Sequence, residues 1–312
     1  MSTYILRRLW QMAPTLLGVI LLVFFLFNWV GGDPAYLLAG KMSNPEQIAN
    51  IRTQLGIDQP YYVQLWIFIK QIVTFDFGNS WSTGEAVSAI LKSRLGPSLT
   101  VLVPLTLLES VLAIALALSI AFRRGSFSDR AVMIACTIGM SVSILVYIIV
   151  GQYVFAFQLG WFPVQGWSNH FVTNLFKYAA LPILIALMVS VAPNLRLFRS
   201  FILDEVNQDY VRTARAKGVP EWRVKWLHVL RNAAIPIVTH IMSNLPALLI
   251  GAFLIERFFS IPGIGREVIL AVERSDFPVI KAITVYVAAA TMFFNLLTDL
   301  LYQALDPRIQ LK

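Results

Sequence analysis

Six long apolar runs constrain this sequence more than any other feature. They lie at about 9–30, 98–122, 131–157, 178–198, 235–256 and 280–304, and each is rich in Leu, Ile, Val and Phe. A helix needs about 20 mostly apolar residues to cross about 30 Å of hydrocarbon, and only helices and closed barrels satisfy every backbone polar group in lipid. The alternating ten-residue segments that a barrel requires are absent. The runs therefore predict an all-α integral membrane protein with six transmembrane helices.

The distribution of charge supports a membrane location and suggests an orientation. Only 13% of the 312 residues are charged, whereas a soluble domain carries about 25%. If the N-terminus lies in the cytoplasm, the cytoplasmic segments contain 15 of the 25 Lys and Arg residues. This excess agrees with the positive-inside rule, by which cytoplasmic loops are rich in Lys and Arg. We therefore expect both termini in the cytoplasm. The net charge of +8 follows from basic residues that flank helices in lipid, and no nucleic-acid partner is expected.

The first apolar run is expected to remain in the chain as a helix. Its apolar stretch is longer than the core of a secretory signal, and no small-residue cleavage site follows it. Residues 31–97 would then lie outside the membrane. Within them we expect helical segments at Pro45–Leu55 and Tyr61–Phe75.

The residue types of common catalytic and metal sites are sparse. His170, His228 and His240 are far apart and Cys136 is the single cysteine, so we expect neither a metal site nor a disulfide within the chain. The sequence has no phosphate-binding Gly-x4-Gly-Lys-Ser/Thr loop, because its Gly-Lys pair at 40–41 lacks the upstream glycine. The chain is therefore predicted to be no enzyme, and any ATP-driven transport would need a partner ATPase.

Residues 199–234 form a polar cytoplasmic segment between the fourth and fifth runs. We expect a first short helix over Tyr210–Lys217, capped by Asp209. It would end at Gly218, since glycine suits the left-handed position after a helix. Pro220 then fits the first turn of a second helix.

The second helix of this elbow would place Trp222, Trp226 and Val229 on one face. A rigid, basic pair of helices can fit a groove on a soluble partner and transmit a push to the helices on either side. A basic amphipathic helix can equally lie on the membrane surface. The residues alone leave both interpretations open.

Polar residues within the apolar runs are candidates for a translocation path, because a charged side chain at mid-membrane costs about 2.5–3.5 kcal/mol. Glu109 in the second run is the clearest, and Asn194, Asn244 and Asn295 follow. Their alternative role is hydrogen bonding between helices. Asp299 lies near a helix end and is expected to be structural.

Two other classes of membrane protein fit parts of the pattern. An intramembrane serine protease could use Ser141 of the third run with His240 of the fifth. An ATP-independent secondary transporter usually carries inverted repeats with broken helices, and no such repeat is visible. Both remain alternatives to a subunit of an ATP-driven transporter.

The run from Asp209 to Gly218 reads Asp-Tyr-Val-Arg-Thr-Ala-Arg-Ala-Lys-Gly, with His228 and Pro236 beyond it. This run resembles the cytoplasmic loop of ABC importer permeases, and Thr-Ala-Arg-Ala-Lys-Gly is particular to the dipeptide/oligopeptide/nickel class. The wider family has Glu-Ala-Ala, three residues and then Gly; here only Ala214 and Gly218 match that pattern. Further motifs keep the family's order and spacing at 4–9, 14–15, 32–34, 55–58, 76–78, 124–126, 262–266, 276–279, 299–302 and 306–309.

The resemblance covers the whole chain and is closest to the B-type subunit of dipeptide and oligopeptide importers. It implies the type I ABC importer permease fold, with an N-terminal helix and external loop at 1–93, a permease domain at 94–304 and a cytoplasmic tail at 305–312. A cytoplasmic coupling helix would lie between helices 4 and 5, in a coupling loop at about 199–234. The residues implied to couple to an ATPase are Thr213, Ala214, Arg215, Ala216, Lys217 and Gly218.

The resemblance also implies partners and a substrate. A second, C-type permease subunit would pair with this chain in the bacterial cytoplasmic (inner) membrane, and two ABC ATPase subunits would hold ATP and Mg²⁺, leaving no cofactor in this chain. An extracytoplasmic solute-binding protein would deliver di- or oligopeptides. Nickel chelates or another small solute carried by the same permease class are the alternative cargo.

Overall fold

The structure is a computed structural model that describes residues 2–30, 34–39 and 44–305. Within these ranges no strand occurs, and Asn79 and Ala86 form an isolated bridge; the all-α class is confirmed there. Of the predicted tail at 305–312, only Leu305 belongs to the described residues, and the motif residues at 32–33 and the Gly-Lys pair at 40–41 lie outside them. The helices are α1 (Ser2–Phe25), α2 (Pro34–Ala39), α3 (Pro45–Leu55), α4 (Tyr61–Thr74), α5 (Val87–Ala121), α6 (Phe127–Ser141), α7 (Ile144–Gly151), α8 (Phe171–Thr173), α9 (Ala180–Val206), α10 (Asp209–Ala216), α11 (Glu221–Arg223), α12 (Leu230–Asn244), α13 (Ala247–Ile250), α14 (Phe253–Phe258), α15 (Ile264–Glu273) and α16 (Phe277–Leu305).

Four short π-helical segments adjoin these helices. They occupy Leu26–Val30, Gln152–Gln158, Asn174–Tyr178 and Val224–Val229. A π-turn is wider than an α-turn and shifts the angular position of every side chain after it. The last of the four has consequences for the predicted elbow.

The two long helices α5 and α9 form the centre of the molecule. α5 has 35 residues, about 52 Å at 1.5 Å per residue, and so exceeds the thickness of the hydrocarbon layer. Ala113 and Ala117 of α5 are fully buried in one cluster with Ala192 and Leu195 of α9. Small side chains let membrane helices approach closely and gain contact area.

The first and last helices pack against each other. Ile20 and Val23 of α1 are buried, whereas Leu22 on the opposite side is 59% exposed, as expected of a lipid-facing surface. Arg8 Nε lies 2.7 Å from Asp299 Oδ2 and joins the first turns of α1 to the last turns of α16. This contact agrees with the structural role predicted for Asp299.

The third apolar run is not one continuous helix. α6 and α7 are bent by 91° to each other, because Val142 and Ser143 adopt extended backbone conformations. Ser143 Oγ accepts a hydrogen bond from Leu145 N–H and so caps α7. The Tyr147 hydroxyl donates at 3.0 Å to the Gly139 carbonyl, which also accepts a hydrogen bond from Val142 N–H at 3.4 Å where α6 ends.

The fifth apolar run is also interrupted. α12 ends at Asn244, and Pro246 precedes the short helix α13. Gly251 then turns the chain with a positive φ of 85°. Among the described residues, four single helices are long and apolar enough to cross a membrane, and the bent pair α6–α7 adds a fifth span if it counts as one. The six-helix count stays a prediction.

The segment between the first two spans contains both helices expected there. α3 has the predicted bounds, and α4 stops one residue early because Phe75 takes a left-handed conformation with φ 53°. The loop after α4 is fixed by the Asp276 carboxylate, which accepts hydrogen bonds from Ser80 Oγ, from Ser82 Oγ at 2.8 Å and from Trp81 N–H at 3.1 Å. This carboxylate ties the loop to the start of α16.

Candidate functional site

A cavity of about 400 Å³, with a few polar side chains in a mainly apolar wall, opens where α5, α9 and α12 meet. Glu109, Asn194 and Asn244, which the sequence singled out separately, all line it, and His240 joins them. Most of the remaining wall is apolar and is formed by Leu102, Leu105, Phe198, Ile241, Ala247 and Leu248. A few convergent polar groups in an apolar wall are typical of a ligand site.

The polar side chains of the cavity form one hydrogen-bonded chain across three helices. Asn194 Nδ2 donates to Glu109 Oε1, and Asn194 Oδ1 lies 2.8 Å from His240 Nε2. When Glu109 is ionised it can only accept, so Asn194 must turn its oxygen toward His240. His240 then carries its proton on Nε2 and donates it to Asn194.

Asn244 completes this arrangement at the end of α12. Asn244 Nδ2 donates to the His240 carbonyl at 3.0 Å and also lies 3.1 Å from His240 Nε2. The Asn244 carboxamide oxygen is thereby left available to a ligand, and Asn244 is exposed. The chain of groups offers one carboxylate and one free amide oxygen, which suits ammonium and peptide N–H donors.

Asn295 lies apart from this group. It stands on an exposed face of α16 and does not line the cavity. A role for Asn295 in the path therefore stays a prediction. His240 was missed as a path residue because the sequence places it 46 residues from Asn194 and 131 from Glu109, and only helix packing brings the three together.

The helical elbow predicted after the fourth run is present. α10 is followed by Lys217 at the C-cap and by Gly218 with φ 76°, so the predicted left-handed glycine is confirmed. Gly218 N–H donates to the Arg215 carbonyl at 2.9 Å, and Val219 N–H donates to the Ala214 carbonyl at 3.2 Å. These two bonds define a Schellman motif, which turns the chain sharply into α11.

Three details of the predicted elbow are wrong. Pro220 is the N-cap of α11 rather than a residue of its first turn. Gln208, not Asp209, is the N-cap of α10; Asp209 stands in the first turn, where a negative charge favours the helix dipole. Trp222 and Trp226 are more than half exposed, whereas Val229 is fully buried. The π-helical segment Val224–Val229 causes this difference, because its wider turns rotate Val229 away from the face of the two tryptophans.

The elbow is anchored on one side and exposed on the other. Val211 and Ala214 are buried in the cluster that contains the ends of α5 and α9. Of the six residues implied to couple, the five others are exposed: Thr213, Arg215, Ala216, Lys217 and Gly218. Ala214 therefore roots the elbow in the membrane-spanning core, while its neighbours present an accessible surface.

Polar contacts stiffen the elbow. Arg215 forms a two-point contact with Glu221 at 2.9 and 3.4 Å, which spans the turn between α10 and α11. Tyr210 donates to Glu205 at 2.5 Å. Burial, with a further contribution from Glu205, raises the pKa of Tyr210 to about 12, so this hydroxyl remains a donor at physiological pH.

The core beneath the elbow contains a buried ion pair. Arg199 donates from Nε and Nη2 to the two oxygens of Asp129 at 2.9 and 2.8 Å. The side chains are only 17% and 6% exposed. Gly125 N–H also donates to Asp129, so the start of α6 and its preceding turn are fixed to α9.

A second buried carboxylate was not anticipated from the sequence. Glu256 is fully buried and accepts hydrogen bonds from Ser98 Oγ at 2.8 Å, Ala252 N–H at 3.1 Å and Arg266 N–H at 3.0 Å. A Cβ on Gly263 would overlap this carboxylate. The Pro-Gly-Ile-Gly motif at 262–265 thus has a structural reason, since its glycines admit Glu256 between α5 and α15.

The residues of the alternative protease site do not come together. Ser141 is exposed and donates to the Thr137 carbonyl, while the His240 ring contacts Asn194, Asn244 and Phe198. None of the contacts among the described residues joins Ser141 to His240. In the same part of the chain, no group of three or more His, Cys, Asp or Glu could hold a metal ion.

Comparison with known proteins matches both halves of the chain to family models. Residues 112–311 match the family described as binding-protein-dependent transport system inner membrane component, and residues 1–102 match its N-terminal companion. A probable peptide ABC transporter permease protein of Sinorhizobium fredii, y4tP, is 35% identical over 99% of this chain and its own full length. The glutathione transport system permease protein GsiC of Salmonella choleraesuis is 35% identical over the full length of both chains. Together with its apolar helices, these matches establish that the chain is a multi-pass membrane protein and belongs to the family of binding-protein-dependent transport system inner membrane components, the permease subunits of ABC transporters.

Proposed function

We propose that this chain is one of two channel-forming subunits of an importer that moves di- and oligopeptides, driven by ATP bound to separate subunits. The observation that carries the proposal is the linked group of polar side chains in the cavity between α5, α9 and α12, in a chain whose relatives are named as peptide and glutathione permeases. Its carboxylate and amide oxygens complement the ammonium and N–H groups of a short peptide.

The proposed energy input is mechanical and enters through the elbow. ATPase subunits carrying ATP and Mg²⁺ would contact the exposed residues around Thr213–Gly218, and Ala214 would pass the displacement to the cluster that holds α5 and α9. The Arg215–Glu221 contact keeps the two arms of the elbow together during that push. This assignment includes the predicted orientation, with the elbow and both termini in the cytoplasm.

The proposed assembly adds a second permease subunit and a solute-binding protein on the outer face. The division at 93 and 94 between an N-terminal part and a permease domain, and the six-helix type I fold, belong to the same proposal. We expect α3, α4 and the loop fixed by Asp276 to contribute to the outer surface.

Copurification and reconstitution test the proposal. The tagged chain is purified gently from its native membrane, its partners are identified by mass, and the complex is placed in liposomes with labelled peptides outside and ATP inside. We expect a second permease, one or two ATPases and ATP-dependent peptide uptake. A chain that accumulates solute without ATPase subunits would contradict the proposal and favour a secondary transporter.

The cavity is tested separately with Glu109→Gln in the reconstituted complex. Removal of the charge should lower uptake of peptides with a free amino terminus more than uptake of N-acetylated peptides. Glu46→Gln, at an exposed carboxylate on α3, is the matched control and should transport normally. Equal effects of both variants would exclude Glu109 from the path, and Asn295→Ala in the same assay decides whether α16 contributes.

A further inference from the structure

A second cavity, of about 260 Å³, lies between the end of α1, α4, the loop after α4 and the start of α16. Phe27 and Asn28 from the last turn of the first span face Phe277 and Lys281 from the first turns of the last span. The rings of Phe27 and Phe277 meet edge to face at 5.2 Å. Because the two spans are antiparallel neighbours, this cavity lies where both leave the membrane.

Two hydrogen-bond donors in this cavity are unused within the described part of the chain. Lys281 Nζ stands 5.5 Å from the ring centres of Phe27 and of Phe68 and has no carboxylate partner there. Asn28 Nδ2 is buried and has no hydrogen-bond partner. The two rings hold the ammonium group by cation–π attraction, yet they offer no oxygen to its N–H bonds. A buried donor without an acceptor is costly, so an acceptor supplied from outside the chain would be bound favourably.

The surroundings indicate where that acceptor comes from. Leu21, Leu22 and Phe25 of α1 are exposed and lead along the apolar surface toward the cavity. Trp29, also exposed, stands one residue beyond Asn28, at the depth where tryptophan marks the boundary between hydrocarbon and headgroups. An anionic group that reaches Lys281 from this direction would sit at headgroup level with its apolar part against α1.

We propose that Lys281 and Asn28 bind the phosphodiester of a membrane phospholipid whose acyl chains lie along α1. Lysine is a common point-charge partner of phosphate oxygens, and charge-assisted bonds of this kind are roughly twice as strong as neutral ones. The lipid headgroup would join α1, α4 and α16, three elements that otherwise meet mainly through apolar contacts.

Lipid binding is measured on the full chain with its copurifying subunits after exhaustive detergent exchange. Dihexanoyl phosphatidylglycerol, below its micellar concentration, is titrated while bound lipid is counted by native mass spectrometry and the unfolding temperature is followed. Lys281→Gln should raise the Kd at least about tenfold, the effect of losing one charge-assisted hydrogen bond. Lys70→Gln, on an exposed position of α4, is the matched control and should bind as the original chain does.

The remaining arms separate lipid from other acceptors. Dihexanoyl glycerol, which lacks the phosphate, should give no shift, and inorganic phosphate should give a much smaller one. Lys281→Arg should retain binding because it keeps the charge, which also shows that the position tolerates substitution. Unchanged lipid binding by Lys281→Gln would overturn the proposal. A full shift with inorganic phosphate would overturn the proposal in favour of a free anion. Loss of the association with the solute-binding protein in Lys281→Gln, while lipid binding stays intact, would overturn it in favour of a protein carboxylate.

Discussion

Replacement of Gly218 by valine tests whether the elbow transmits force. Gly218 has φ 76°, and a Cβ at this position would meet no atom within 4 Å. The cost of a side chain is therefore backbone strain alone, about 1–2 kcal/mol for an L-residue in the left-handed region and more for a β-branched one. Relief of that strain breaks the bonds from Gly218 to Arg215 and from Val219 to Ala214 and changes the angle between α10 and α11.

The magnitude predicts uncoupling rather than unfolding. Since the strain of valine exceeds about 1–2 kcal/mol, the population of the native turn should fall by more than about 5- to 30-fold. The buried anchors Val211 and Ala214 remain in place, so the chain should still assemble. We expect the reconstituted complex to hydrolyse ATP at a rate closer to normal than its peptide uptake, and the number of ATP molecules used per peptide to rise.

A graded series sharpens this experiment. Asparagine tolerates the left-handed region better than alanine, and alanine better than valine, so uptake per ATP should fall from Gly218→Asn to Gly218→Ala to Gly218→Val. Gly125→Val is the control, because Gly125 also has a positive φ, 80°, and open space for a Cβ, but lies in the turn before α6. Unchanged coupling across the series, or an equal defect in Gly125→Val, would refute the reasoning.

Three further predictions concern the buried charges. Glu256→Gln points an N–H donor at groups that themselves donate, so the free energy of unfolding should fall by about 2–3 kcal/mol. A denaturant titration in detergent measures this change. An effect no larger than that of Ser98→Ala would contradict the role of Glu256 as a buried acceptor. Arg199→Ala leaves Asp129 buried without its partner and should cost about 3–5 kcal/mol, part of which Arg199→Ala/Asp129→Asn should restore; no restoration would show that the pair does not act as a unit. Although burial alone raises the pKa of Asp276, hydrogen bonds from serine hydroxyls and backbone N–H groups outweigh it and hold that pKa below its ordinary value. A depressed folded-state pKa favours the ionised native state, so this stabilisation is present above the unfolded pKa and is lost as pH falls through the folded pKa; Asp276→Asn should flatten the acid limb of the stability curve, and an unchanged limb would argue against it.

The local features of this chain were largely predictable from sequence. Pro45–Leu55, the cap at Gly218 and the polar character of 199–234 follow from helix propensities and end signals that act over a few residues. The breaks in the third and fifth runs were not predicted. The third run stays apolar on both sides of Ser143, so its sequence shows no interruption. The break between α6 and α7 is possible because the Ser143 cap and the Tyr147–Gly139 hydrogen bond satisfy backbone groups that it exposes.

The sequence by itself determined that this chain is an all-α membrane protein with one polar elbow, because long apolar runs in lipid leave the backbone few alternatives. It also identified Glu109, Asn194, Asn244 and Asn295 as polar groups within the apolar runs, suited to a translocation path or to hydrogen bonding between helices. Only the tertiary structure decided that the first three of these meet His240 in one cavity, while Asn295 lies apart from it. It also decided that Glu256 is enclosed by glycines at the start of α15, and that Lys281 and Asn28 share a second cavity. These groupings depend on how whole helices pack, because they join elements that are distant in the sequence, such as Asn28 and Lys281 or Glu109 and His240. That arrangement is set by the summed contacts of whole helix faces rather than by any local pattern.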